Sequence, residues 1–428
     1  MKAGGGNKLL VVQVAALGHD FFLERHGRPQ WKGCALQAAE TVFPALTCPV
    51  QASFRTASWP REHGVTFNGK YFPELGRPMF WEQSARLVKG RRFWEDARAA
   101  GKTVGMLFWQ QSLGEQVDLL LSPAPIHKHH GGMVEAFHSK PPGRYEELCR
   151  VLGKSFKLRH YWGPLASRPS SEWIAEATAA AIAAPDAPDL LLSYIPHLDY
   201  ALQRHGPASP QAAKAFGETM ELLGRLADAA VDNGRDFLFY GDYAIAPAGR
   251  AVLPNVLLRR AGLLKTRSVG KMLYPDFPSS RAFAVADHET AHVFLDSPAS
   301  LPATLAALQA GTADFDLLGQ KEASQLRVDA PDAAALVLAG KGGNWFAYPW
   351  WDDPREAPDY ARHIDIHNKP GFDPCELFFG WPPLSITLDT TRIKGTHGLA
   401  GPSRQIAWLS TLPLQPATPS LPALAAEL

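Results

Sequence analysis

Apolar runs and amphipathic stretches alternate along the first 240 residues. Residues 9–17 (Leu-Leu-Val-Val-Gln-Val-Ala-Ala-Leu) are almost continuously apolar, with Gln13 the one polar interruption. A run of that kind is the mark of a parallel strand covered on both faces. Residues 102–108, 189–195 and 236–240 repeat it. Helical stretches are predicted between them at 93–100, 171–184 and 210–233. In the last, Ala213, Phe216, Met220, Leu223 and Leu226 fall on one helical face, and Asn233-Gly234 supplies a stop. Strands alternating with helices predict an α/β fold with a mostly parallel central sheet and helices on both faces. In such sheets ligands lie beyond the carboxyl ends of the strands.

Residues 265–384 break this rhythm. Short strand-like pieces at 282–286 and 291–295 precede a helical stretch at 302–311, and the aromatic run Asn344-Trp-Phe-Ala-Tyr-Pro-Trp-Trp351 follows. The division expected is a core of 8–264 and 385–410, an inserted smaller α+β cap of 265–384, and a tail of 411–428. The tail holds four prolines and no charge before Glu427, so it is expected to be surface-bound or disordered.

Composition narrows the partners. The 428 residues carry a net charge of +1, which gives no basic field for a nucleic acid polymer or an anionic membrane. No apolar run approaches the roughly 18 residues of a spanning helix. The opening Met-Lys and the apolar run after it resemble a short signal peptide, but the run suits the first core strand better. Cys34, Cys48, Cys149 and Cys375 form no C-x-x-C pair. Reduced thiols and a cytoplasmic setting are expected.

The chemistry starts at Thr47. Residues 42–54 (Val-Phe-Pro-Ala-Leu-Thr-Cys-Pro-Val-Gln-Ala-Ser-Phe) lead to Pro60-Arg-Glu-His-Gly-Val-Thr-Phe-Asn68, and Asn68 lies 21 positions after Thr47. This stretch resembles the nucleophile segment of the nucleotide pyrophosphatase/phosphodiesterase branch of the alkaline phosphatase superfamily. The resemblance continues at Asp199 in Tyr194-Ile-Pro-His-Leu-Asp, at Asp242 in Tyr240-Gly-Asp-Tyr, and at His397 in Gly395-Thr-His-Gly398. It implies an alkaline-phosphatase-like core. Thr47 attacks phosphorus, Asn68 steadies a phosphoryl oxygen, and Asp199, Asp242 and His397 ligate metal.

The same resemblance exposes gaps. Two ions about 3.5–4 Å apart serve the family's in-line displacement. Where the family has an aspartate at the end of its first strand, this chain has Ala15; where it has histidines, it has Gln203 and Tyr243. Gln203 is a weaker ligand than imidazole, and Tyr243 suits substrate contact better than metal. Asp20, His197 and His205 lie near enough in sequence to be substitutes, with His197 also a substrate-contact candidate. One divalent ion, or none, matches the remaining charge, and the oxygen-rich donors favour Mg²⁺ or Mn²⁺ over Zn²⁺. The expected function is hydrolysis of phosphate esters at a reduced metal site. The alternative is an inactive relative that binds a phosphorylated or carboxylated small molecule. A mutase on the same fold is a third option.

Other clusters have blander readings. His288-Glu-Thr-Ala-His292 meets the His-Glu-x-x-His pattern of zinc proteases, but its flanks are strand-like, which sets the two histidines about 13 Å apart. His127-Lys-His-His-Gly-Gly132 is a basic loop that either touches phosphate or is simply exposed. Trp345, Tyr348, Trp350 and Trp351 form either an aromatic wall for a ring or packing between cap and core. Cys48 is either a rival nucleophile or a small buried side chain.

Overall fold

The computed structural model describes residues 8–128 and 133–428, and its centre is an eight-stranded sheet. The strand Lys8–Val14 lies in the middle, parallel to Leu190–Ile195 on one side and to Arg235–Gly241 on the other. Val104–Leu107 and Leu119–Pro123 extend the parallel part beyond Leu190–Ile195. Antiparallel strands close both edges: Phe137–Lys140 at one, Ile406–Ser410 and then Gln37–Ala39 at the other. Helices flank the sheet. Arg168–Ala183 packs on the long helix Pro210–Asp232, which also packs on Arg235–Gly241.

The apolar pattern explains this centre. Every residue from Leu9 to Val14 is buried, Gln13 included, so neither face needs to alternate. The strand is shorter than the apolar run of 9–17 because the chain turns at Ala16, whose φ is +61°. The turn places Ala15 and Ala16 beside the end of Arg235–Gly241, where the site lies.

Residues 282–340 build a second, four-stranded antiparallel sheet in the order Ala282–Asp287, Thr290–Leu295, Leu336–Gly340, Phe315–Leu318. Its first two strands form a hairpin that turns at His288-Glu289, with His288 at φ +57°. The strand-like reading of this stretch holds, and the zinc-protease helix does not form. Glu289 is instead ion-paired with Arg404 at 2.8 Å. Trp350 and Trp351 pack edge to face, 5.1 Å apart, and Trp350 donates to the Leu273 carbonyl. The run from Trp345 to Trp351 is therefore packing rather than a wall for a ligand.

Residues 411–428 also depart from expectation. Leu421–Ala426 is a helix whose Leu421, Leu424 and Ala425 are fully buried, and it packs against the helix Thr47–Thr56. The three side chains lie at i, i+3 and i+4, a helical face that proline content obscured. The basic loop at 127–132 lies largely outside the described residues. Among the described residues, no helix is long and apolar enough to cross a membrane.

Candidate functional site

Thr47 opens the helix Thr47–Thr56, and the residue before it, Leu46, supplies no side-chain cap. The first-turn N–H groups of a helix need outside acceptors. Asn68 provides one: its Oδ1 accepts from the Cys48 N–H at 3.0 Å. The rest of Asn68 is held by the hairpin of the second sheet. Its Nδ2 donates to Asp287 Oδ1 at 3.1 Å and its backbone N–H to Oδ2 at 2.8 Å. The predicted pair Thr47 and Asn68 is thus assembled, with Asn68 acting as a surrogate cap. Cys48 is buried beside them, and burial drives its thiol well above the usual range. It does not reach the cavity lining.

Asp242 follows the strand Arg235–Gly241 and is fully buried. Its Oδ2 accepts from Gln13 Nε2 at 3.1 Å, and its Oδ1 from the backbone N–H groups of Ala16 and Tyr243, each at 2.9 Å. Tyr240 in turn donates to Gln13 Oε1 at 2.8 Å. Gln13 is a site residue that the sequence pattern concealed, because a lone glutamine in an apolar run looks like an interruption. Burial raises the Asp242 pKa well above the ordinary carboxyl value despite these donors.

Asp199 lies in the first turn of the helix His197–His205, beyond the end of Leu190–Ile195. Gln203, one helical turn on, donates to its Oδ2 at 2.7 Å, and the Tyr243 hydroxyl to its Oδ1 at 3.1 Å. Burial pushes the Asp199 pKa up to about 6, against the lowering effect of those two bonds. The Tyr243 proton thus points at Asp199. The Tyr243 ring lies flat on His397, with centroids 3.5 Å apart and planes 4° from parallel.

His397 is presented by a turn that glycine permits: a Cβ at Gly395 would lie 2.2 Å from the Leu202 carbonyl oxygen, and Gly398 has φ +132°. His397 Nδ1 is 2.8 Å from the Ala45 carbonyl oxygen, which can only accept. The proton is therefore on Nδ1, and Nε2 carries a bare lone pair. His288 lies beside it, ring centroids 3.8 Å apart. Burial lowers both imidazole pKa values, to about 3 for His288 and well below normal for His397.

A cavity of about 430 Å³ opens above these groups. Thr47, Asp199, Gln203, Tyr243, His288 and His397 reach its lining, whereas Asp242 lies beneath it. Trp81, Trp162 and Phe372 line it too, and none of these aromatics stood out in the sequence. His197 is absent from the lining; its Nε2 pairs with Glu218 at 2.7 Å, which turns it toward the long helix and away from substrate. Asp20 is exposed and bonds its neighbour His19.

The type I phosphodiesterase / nucleotide pyrophosphatase family model matches residues 31–373. The chain belongs to that family. An uncharacterised pyrophosphatase/phosphodiesterase of Schizosaccharomyces pombe is 22% identical over 221 residues, 48% of this chain and 37% of that protein. Ectonucleotide pyrophosphatase/phosphodiesterase family member 1 of Rattus norvegicus is 23% identical over 199 residues, 46% of this chain and 18% of the rat protein. These matched stretches thus span well under half of either relative. Phosphonoacetate hydrolase from Sinorhizobium meliloti, solved with phosphonoacetate, superposes with a TM-score of 0.61 at 15% identity, covering 98% of this chain and 95% of that one. Murine ectonucleotide pyrophosphatase/phosphodiesterase 5, in an inactive threonine-to-alanine form with AMP, gives 0.56 at 13% identity, covering 95% and 88%. The alkaline-phosphatase-like fold expected from the sequence is the fold observed.

Phosphodiesterases of this family depend in general on divalent metal, and the residues here do not fit a two-ion clamp. Both oxygens of Asp242 and both of Asp199 are occupied by protein donors. Ala15 offers no ligand, and the Tyr243 ring occupies the space between Asp199 and His397. Of the expected ligands, Asp199, Gln203 and His397 share the cavity, and Asp242 is set apart below it. Among the described residues, no three His, Cys, Asp or Glu side chains are grouped to hold a metal ion.

Proposed function

We propose that this phosphodiesterase relative binds a small molecule over Thr47 and has given up two-metal hydrolysis. One observation carries the reading: the two aspartates that would hold the ions are bonded by Gln13, Gln203, Tyr243 and the backbone N–H of Ala16 instead. These donors take acceptor positions that an ion would otherwise share, and they hold each buried carboxylate in place without one. Three separate changes, Ala15, Gln203 and Tyr243, act in the same direction.

A second reading has its own support. Asn68 accepts from the Cys48 N–H at the start of the Thr47 helix, and Thr47, Tyr243 and Asp199 all line the cavity, with Tyr243 bonded to Asp199. That arrangement suits a phosphoester hydrolase whose nucleophile is Thr47. One experiment separates the two. The protein is dialysed without metal, then against Mg²⁺, Mn²⁺ or Zn²⁺; metal content and bis-nitrophenyl phosphate turnover are measured beside Thr47→Ala. The binding reading expects no stoichiometric metal and no turnover above that variant. Bound metal with turnover that disappears in Thr47→Ala establishes the hydrolase.

A further inference from the structure

The floor of the cavity presents unpaired acceptor atoms. Gln203 Nε2 gives one N–H to Asp199, and its Oε1 has no partner although the residue is 3% exposed. His288, 4% exposed, has its Nδ1 2.8 Å from Asp287 Oδ1, which also accepts from Asn68, and its Nε2 has no partner. His397 Nε2 is bare because Nδ1 faces a carbonyl. The hydroxyl hydrogen of Tyr243 is directed at Asp199. An N–H donor brought to this floor therefore meets the free acceptors of Gln203, His288 and His397.

The wall adds the same preference. Trp81, Trp162 and Phe372 stand edge to face around one corner, with centroids 5.4, 6.2 and 6.3 Å apart. Phe372 stacks on His288 at 3.9 Å, which joins the wall to the floor. The Trp162 indole N–H donates to Glu376 Oε2 at 2.7 Å, and a carboxylate in that place makes the ring face more electron-rich. Five carboxylates line the cavity; Asp373 and Glu376 are paired with the buried Lys369, which leaves Glu135, Asp199 and Asp365, with Arg159 the one arginine or lysine among the lining residues. Aromatic faces and carboxylates together attract cations.

We propose that the ligand is a small organic ammonium: its N–H groups meet Gln203 Oε1 and the Nε2 atoms of His288 and His397, and its apolar body lies against Trp81, Trp162 and Phe372. This deepens the binding reading above, on which it rests.

The test uses the whole protein, free of added metal, titrated by calorimetry with phenethylammonium, phenylacetate and phenyl phosphate. Phenethylammonium is expected to bind saturably, one per chain, and the two anions not to bind. His288→Phe keeps the stack on Phe372 and removes the bare nitrogen; Trp162→Leu removes the ring. Each is expected to weaken phenethylammonium about tenfold while circular dichroism stays unchanged. Binding of either anion in preference to the ammonium overturns the proposal. So does unaltered ammonium binding in both variants, or displacement of phenethylammonium by Mn²⁺ alone at stoichiometric levels. Metal content and turnover on the same samples judge the preceding reading separately: a metal-free, inactive protein that ignores phenethylammonium refutes only the ligand class.

Discussion

Replacing Gln13 by leucine isolates the feature that stands where a metal would be needed. Gln13 has no solvent exposure and links Tyr240 to Asp242 through bonds of 2.8 and 3.1 Å. Leucine is close in volume, so the strand is not forced apart. The change leaves the Tyr240 hydroxyl and Asp242 Oδ2 without partners, at about 1–3 kcal/mol each. The gain from a buried aliphatic side chain offsets about 1–2 kcal/mol. At mid-range these terms leave a net loss of about 2–3 kcal/mol, seen as a lower urea midpoint with an unchanged slope. A second mutation sharpens it. Tyr240→Phe is expected to cost about 1 kcal/mol in the wild-type background and nothing in Gln13→Leu, where it removes an orphaned hydroxyl. A loss below about 0.5 kcal/mol for Gln13→Leu, or an equal cost of Tyr240→Phe in both backgrounds, would refute the reasoning.

Three further outcomes follow from the same geometry. His63 accepts the Val65 N–H and lies 2.8 Å from Ser53 Oγ; burial, then Arg55 and Arg92, lower its pKa to about 3. Its unfolded value is about 6.5, so the unfolded chain takes the proton first. The contribution is complete above about pH 6.5 and is lost as pH falls toward 3, at up to about 1.4 kcal/mol per unit. His63→Gln is expected to flatten that slope in urea midpoints compared across the window, and an identical slope counts against it. Lys369 is 1% exposed and bridges Asp373 at 2.8 Å and Glu376 at 2.6 Å; Lys369→Met should cost about 3–5 kcal/mol, and a loss under about 1 kcal/mol would show the carboxyls are not relying on it. Restoring the family's ligands with Ala15→Asp, Gln203→His and Tyr243→His together is expected to create a Zn²⁺ or Mn²⁺ site visible as a metal-dependent rise in melting temperature. A folded triple variant that ignores both ions rejects the assignment of those three positions.

The parallel strands were legible because burial on both faces leaves an unbroken apolar signature, and Thr47, Asn68, Asp199, Asp242 and His397 stood out because each lies in a stretch that resembles the family's. The substitution at Tyr243 was also visible, but its reach to Asp199, 44 positions away, depends on ring length and tertiary placement. Gln13 was hidden by its setting. The strand-like flanks of His288 were legible, but the grip of Asp287 on Asn68, 219 positions earlier, depends on tertiary placement. The helix at 421–426 was lost among prolines for a related reason: composition was weighed and periodicity was not.

The hairpin turn carries an implication for how this protein could be taken apart. Asp287 grips Asn68, the Glu289 backbone N–H bonds the His397 carbonyl at 2.8 Å, and the Glu289 carboxylate receives Leu399 N–H and Arg404. The second sheet is therefore tied into the site through its hairpin rather than resting above it. Excising residues 282–340 would take away His288 together with the acceptor that holds Asn68 and the donor that holds the His397 turn.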